Sequence, residues 1–198
     1  MTAHSADLRR LLRALLLAAD QPLTTEQVAA LIERAVDEEE WPAAVDASAV
    51  QAAFVALAAS LEGSGTELVE VAEGWRLRTA PDLAAMVRRL WPDRIQRLSK
   101  AALEAVSIIA YRQPVTRAEV EAVRGVDSGG VLRSLMDRGL LRIIGRKDEP
   151  GRPLLYGTTQ AFLETFSLPN LRALPTLRDL ESLRQEEAAR ARGEIPET

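Results

Sequence analysis

The sequence predicts a mainly α chain with small β-hairpins (an α+β class), built as two tandem copies of one module. Three observations lead there. Gln21-Pro22-Leu23-Thr24 recurs 92 positions later as Gln113-Pro114-Val115-Thr116. Each copy of that turn follows an amphipathic stretch and precedes a second one. Each copy then ends in two short β-like runs and a further apolar segment.

Taken in order, Leu8, Leu11, Leu12, Leu15 and Ala19 keep the spacing of one helical face, as do Leu103, Val106, Ile109 and Ala110 in the second copy. After each Gln-Pro turn a threonine stands three residues before Gln27 or Glu119, the spacing of a capping box. Leu23 with Val28, and Val115 with Val120, are placed to staple the same helix starts. A second matching pair, 81 positions apart, sets Val45-Asp46 and Val50 against Val126-Asp127 and Val131, predicting Asp caps and Val staples for a third helix. The shift falls by 11 because the first copy carries an acidic insertion, Asp37-Glu38-Glu39-Glu40-Trp41-Pro42, suited to a loop. A third pair, 79 apart, matches Leu77-Arg78-Thr79 before Leu83 with Tyr156-Gly157-Thr158 before Phe162. Strands are expected at 68–72 and 75–79, then at 141–144 and 154–158, joined by Glu73-Gly74 and by a wing over 146–153.

Helix, helix, helix, hairpin, helix is the winged-helix pattern. The sequence is therefore divided into winged-helix domains at 1–92 and 93–168, with the boundary at Trp91-Pro92, and a flexible C-terminal tail at 169–198.

Composition narrows the function. The 198 residues carry a net charge of −4, with 47% apolar and 27% charged residues, which suits a globular chain. There is no cysteine, and His4 is the only histidine. Disulfides, thiolate nucleophiles, the usual zinc sites and imidazole-based triads are thereby excluded, so no enzyme activity and no cofactor or metal is expected. The leucine-rich start is interrupted by Arg13 and closed by Asp20, unlike a secretory signal, and no segment is apolar enough to span a membrane. A cytoplasmic protein is expected.

Charge is uneven: residues 1–92 hold 8 basic and 14 acidic groups, residues 93–168 hold 12 and 9. The third helix of the first copy has no Lys or Arg and only Gln51 as a base reader, so it is a poor DNA-reading helix. The second copy offers Arg133 and Arg138, with Arg142, Arg146, Lys147 and Arg152 near the wing. These suit at most weak, non-specific phosphate contact. A DNA-binding regulator using this basic second domain is the alternative reading. Gly125 to Gly130 lacks the ending of a phosphate loop and reads as a helix-cap turn, and Glu38 to Glu40 read as solvated rather than metal-binding.

Ala105 to Val120, Arg124-Gly125-Val126-Asp127-Ser128, Gly145-Arg146-Lys147-Asp148 and Pro150 to Thr159 together closely resemble the ScpB family, the segregation and condensation protein B subunits of bacterial condensin-like SMC complexes. Leu174-Pro175-Thr176-Leu177 also resembles that family's entry into its tail. The resemblance covers about residues 99–168 and more loosely the first copy, which departs from the pattern at the acidic insertion. It implies a non-catalytic protein, associated with the nucleoid, that homodimerises chiefly through its N-terminal domain. It implies binding of the kleisin ScpA, and through ScpA an indirect link to the SMC ATPase. Tyr111, Arg112, Arg124, Arg146, Arg152 and Tyr156 are the candidate partner-binding residues. The small residues Ala49, Ala52, Ala53 and Ala56 on the third helix are the candidate dimerisation residues. The three tryptophans, Trp41, Trp75 and Trp91, all lie in the first half, as interface anchors or ordinary core.

Overall fold

The computed structural model describes residues 3–90, 97–176, 178–179 and 181–182. The expected boundary at Trp91-Pro92 and the last part of the expected tail, 183–198, lie outside the described residues.

The first unit runs α1 (Ala3–Ala18), α2 (Thr25–Asp37), α3 (Ala47–Ser60), β1 (Thr66–Val71), β2 (Gly74–Thr79) and a short α4 (Ala84–Val87) continued by a 3₁₀ turn at Arg88–Leu90. The second runs α5 (Lys100–Arg112), β3 (Val115–Thr116), α6 (Arg117–Arg124), α7 (Gly129–Asp137), β4 (Leu141–Arg146), β5 (Leu154–Thr158) and α8 (Gln160–Thr165). Each is a winged helix with its own buried cluster, one from Leu8 to Leu68 and the other from Ala102 to Phe162.

Local chemistry explains the helix starts. Both Thr24 with Gln27 and Thr116 with Glu119 form reciprocal capping boxes, so each Gln-Pro turn delivers the chain to a helix whose first amides are satisfied. Asp46 caps α3 by accepting from the Ala49 amide at 2.7 Å. The matching cap in the second copy differs. Asp127 accepts from the Gly129 amide two residues on and pairs with Arg117, and the N-cap position falls to Ser128. Val126 is exposed rather than stapled onto Val131.

Helix faces follow the expected spacing with two adjustments. Leu8, Leu12 and Leu16 form the buried line of α1, with Leu11 and Leu15 at its flanks. On α5, Leu103 points to solvent and Ala102, Ala105, Val106, Ile109 and Ala110 form the buried face.

The residue after each Gln-Pro pairs with the second hairpin strand. Leu23 bridges Trp75, and Val115 pairs with Tyr156 in a sheet ordered β3-β5-β4. The ladder therefore aligns Trp75 with Tyr156, a shift of 81 rather than 79 along this strand. The first hairpin also turns one residue earlier than expected. Val71 pairs with Gly74, so Ala72 and Glu73 are the turn, with φ of +51° and +64°. Gly74 is needed for a different reason: a Cβ there would meet Pro22 and the Leu23 backbone at 3.0–3.1 Å, blocking the Leu23 bridge.

Beyond α8 the chain forms a strap. Leu168 and Leu174 pack against the second cluster, and the Tyr111 hydroxyl donates to the Pro175 carbonyl at 2.6 Å.

Candidate functional site

Two surfaces carry the expected contact residues. The first is built on α3, whose sequence contains no charged residue. Val50, Ala53, Phe54 and Leu57 turn inward, which leaves Ala49, Ala52 and Ala56 on the outer face. All four candidate alanines line one groove of about 480 Å³, with Ala53 at its floor and Leu8, Trp41, Ala44, Val45 and Asp46 around it. The acidic insertion supplies Trp41. Its amide donates to the Ala35 carbonyl at 3.0 Å, and its ring folds back onto the first cluster. Glu38, Glu39 and Glu40 stay exposed, and no metal-holding group of acids and imidazoles occurs among the described residues. Trp75 belongs instead to the core, stacked on Phe54 with centroids 5.4 Å apart and its Nε1 donating to Gln51. Trp91 lies outside the described residues.

Apart from Ser48, Gln51 and Ser60 the helix is apolar, yet its outer face is open to water. Small side chains there let a second backbone approach closely. The end of the same unit repeats the theme. Phe162 fills the second core at 2% exposure, whereas its counterpart Leu83 is 43% exposed, and Met86 and Leu90 beyond it are also open.

The second surface surrounds the α6–α7 turn and the wing, where charge is largely self-satisfied. Arg117 Nε donates to Glu121 Oε1 at 2.6 Å, and its other arm pairs with Asp127. Glu121 also accepts from the Ser128 amide at 2.9 Å; that bond and then Arg117 hold its carboxyl below the usual range. A Cβ at Gly129 would meet the Arg117 guanidinium at 2.6–2.8 Å, so a larger residue there would swing this half-exposed side chain aside. Arg124 donates to Ser128 Oγ at 2.7 Å and reaches Glu104 at 3.5 Å, with only 6% of its side chain exposed.

Of the six candidate partner-binding residues, Arg124 thus ties α5, α6 and the following turn together, and Tyr156 is buried in the core. Tyr111, Arg112, Arg146 and Arg152 are on the surface. Tyr111 is engaged with the strap, while Arg146 donates to the Arg152 carbonyl at 3.1 Å and so shapes the wing tip. Two polar ties were missed. Ser128 is fully buried, and Gln113 locks onto Thr158 across the sheet. The recurrence of Gln before Pro was the available signal for the second; Ser128 was marked by its place in the Arg124–Ser128 segment of the family resemblance, with no sign there of its burial.

Lys147, read from the sequence as one of the wing cations suited at most to weak phosphate contact, is held by Glu119 at 2.9 Å and Glu149 at 2.8 Å. Glu119 also accepts from the Thr116 amide, and that bond, then Lys147, brings its carboxyl down to about 2. Because the folded value lies below the unfolded one, this carboxylate's contribution is fully present above about pH 4.5 and is lost as pH falls toward 2. Glu119→Ala is expected to lower second-unit stability by about 1 kcal/mol at pH 7, as removal of a cap does. The difference from the parent shrinks below pH 3, which urea titration at pH 7 and pH 2.5 measures.

These features define a tandem winged-helix protein whose open helix face is uncharged and made of small side chains. Residues 10–177 match the family described as segregation and condensation complex subunit ScpB. Segregation and condensation protein B of Syntrophotalea carbinolica is 49% identical over 173 residues, covering 84% of this chain and 80% of that protein. The protein of the same name from Myxococcus xanthus is 46% identical over 169 residues, covering 80% of this chain and 51% of the relative. A crystal structure of ScpB from Mycobacterium tuberculosis is 37% identical, covers 85% of this chain and 99% of that chain, and has a TM-score of 0.36. The chain belongs to the ScpB family of segregation and condensation complex subunits.

Proposed function

We propose that the chain is a non-catalytic adaptor in chromosome segregation and condensation, working as a homodimer that binds the kleisin ScpA and reaches the SMC ATPase only through it. Residues 1–92 form the dimerisation domain and residues 93–168 the kleisin-binding domain of this reading. It acts in the cytoplasm on the nucleoid, with DNA touched weakly if at all. Family membership supports the segregation role. No helix among the described residues is long and apolar enough to cross a membrane. The observation that carries dimerisation is the open alanine groove on α3. Its lining is mostly small and apolar, with Trp41 and one acidic residue, Asp46, beside the alanines, a composition closer to an interface core than to solvated surface.

Ala56→Arg tests it. The position is exposed, and Arg is a good helix former, so the monomer fold is retained. A charge introduced into a packed interface weakens association by about 100-fold. Sedimentation velocity is expected to show dimer for the parent and monomer for the variant at equal micromolar concentration. Unchanged sedimentation would remove α3 from the interface. Mixing with ScpA from the same organism is expected to give one co-eluting complex, weakened by Arg146→Glu with Arg152→Glu.

A further inference from the structure

The β1–β2 turn breaks a conformational preference at two successive residues. Two-residue hairpin turns with positive φ at both positions are ordinarily Asn-Gly or Asp-Gly. Here they are Ala72 at +51° and Glu73 at +64°, although Gly74 stands next in the chain. Left-handed backbone at non-glycine residues persists where surrounding structure holds it. What holds it is the other unit. The Ala72 amide donates to the Leu168 carbonyl at 2.9 Å, and the Glu73 amide to the Pro169 carbonyl at 2.8 Å. Val71 and Ala72 are 2% and 4% exposed yet belong to neither core cluster. Four residues further on, Arg76 reaches back to Glu164 of α8 at 3.3 Å and to the Asp20 carbonyl.

We propose that the hairpin tip Val71–Glu73 and the strap residues Leu168–Pro169 form an intramolecular latch, steadied by Arg76 and Glu164, that fixes the two winged helices in one mutual orientation and releases as a unit. The receiving side is itself anchored. Leu168 packs into the second core, its amide bonds to the Leu163 carbonyl, and Tyr111 holds the strap at Pro175. A tip of three residues with two main-chain bonds and one partly exposed ion pair is small beside an ordinary inter-domain contact, so the latch opens far below global unfolding. Its action is independent of which proteins the two units bind.

Hydrogen exchange on the full chain reads the latch directly. Unlatched turn amides exchange quickly, so slow exchange at Ala72 and Glu73 reports closure. The parent is expected to protect both amides at least about tenfold beyond a free turn. Glu164→Arg places two guanidinium groups together and lowers protection at both by about tenfold, while the β1–β2 ladder amides stay unchanged as a folding control. Arg76→Glu combined with Glu164→Arg restores protection. The cysteine-free chain also accepts spin labels at Arg13→Cys and Arg138→Cys, whose distance distribution is expected to be single and narrow in the parent and broadened by Glu164→Arg. Free-turn exchange at Ala72 and Glu73 in the parent, or protection indifferent to Glu164→Arg, overturns the latch.

Discussion

Phe54→Ala is expected to destabilise the first winged helix by about 3–5 kcal/mol, the range for emptying an aromatic site in a packed core. Phe54 is fully buried in α3, with Val50 and Leu57 on the same face, and stacks on Trp75 at an interplanar angle of 19°. Truncation removes the ring's transfer energy and leaves a void that Ile32 and Leu12, both without exposed surface, are too constrained to fill. The effect should stop at the latch, since the second core shares no residue with the first. Trp41 and Trp75 pack against the first cluster and no tryptophan occurs after residue 91, so in a Trp91→Phe background tryptophan fluorescence follows the first unit while far-UV dichroism follows both. In urea the fluorescence midpoint is expected to fall sharply while a later dichroism transition moves by less than about 0.5 kcal/mol. One coincident, equally lowered transition would mean that the two units fold as one cooperative body.

The features legible in the sequence are those whose energetics are local. A capping box needs only Thr and Gln or Glu three apart, and both copies supply it at the place where the helix starts. Gly125 was readable as a helix-ending turn for the same reason, and it adopts φ of +72°. Failures occur where a distant group competes for the same side chain. Asp127 had the spacing of a cap, but Arg117, ten residues earlier, draws one of its oxygens, and Ser128 is buried against Arg124. Gly74 had the look of a turn residue, but the approach of Pro22 and Leu23 uses up its missing Cβ, pushing the strain onto Ala72 and Glu73.

The candidate contact residues divide in the same way. The alanines of α3 could be placed on one groove from the sequence because their spacing sets Ala49, Ala52 and Ala56 on the face opposite Val50, Phe54 and Leu57. The arginines were indistinguishable by sequence. Arg124 and Arg146 each sit beside a turn, yet one is sealed among Glu104 and Ser128 while the other spans the wing tip. Burial of a guanidinium depends on which acid the fold brings within reach, and Glu104 lies on a different helix from Arg124.

Gly157→Val is expected to destabilise the second winged helix by about 3 kcal/mol, combining roughly 2 for overpacking with roughly 1 for a broken polar tie. Gly157 is buried in β5 between Tyr156 and Thr158, and a Cβ there would lie 2.9 Å from Gln113 Oε1 and 3.0 Å from Ile144. Ile144 is partly exposed and can rotate away; Gln113 cannot move without loss. Its carbonyl accepts from the Thr158 amide at 2.8 Å, and its amide donates to the Thr158 hydroxyl and to the Ala110 carbonyl at the end of α5. Displacing it orphans a buried donor on β5 and a helix-terminal acceptor together, parting the first helix of the unit from its sheet. The tie also dictates a coupling. Gln113→Ala alone forfeits the same bonds, but in the Gly157→Val background those bonds are already gone and the shortened side chain relieves the clash. The double variant should therefore be less destabilised than the sum of the two by about 1 kcal/mol or more. Strict additivity in urea denaturation would show that the valine is accommodated by Ile144 and the backbone instead, with the Gln113 bridge intact.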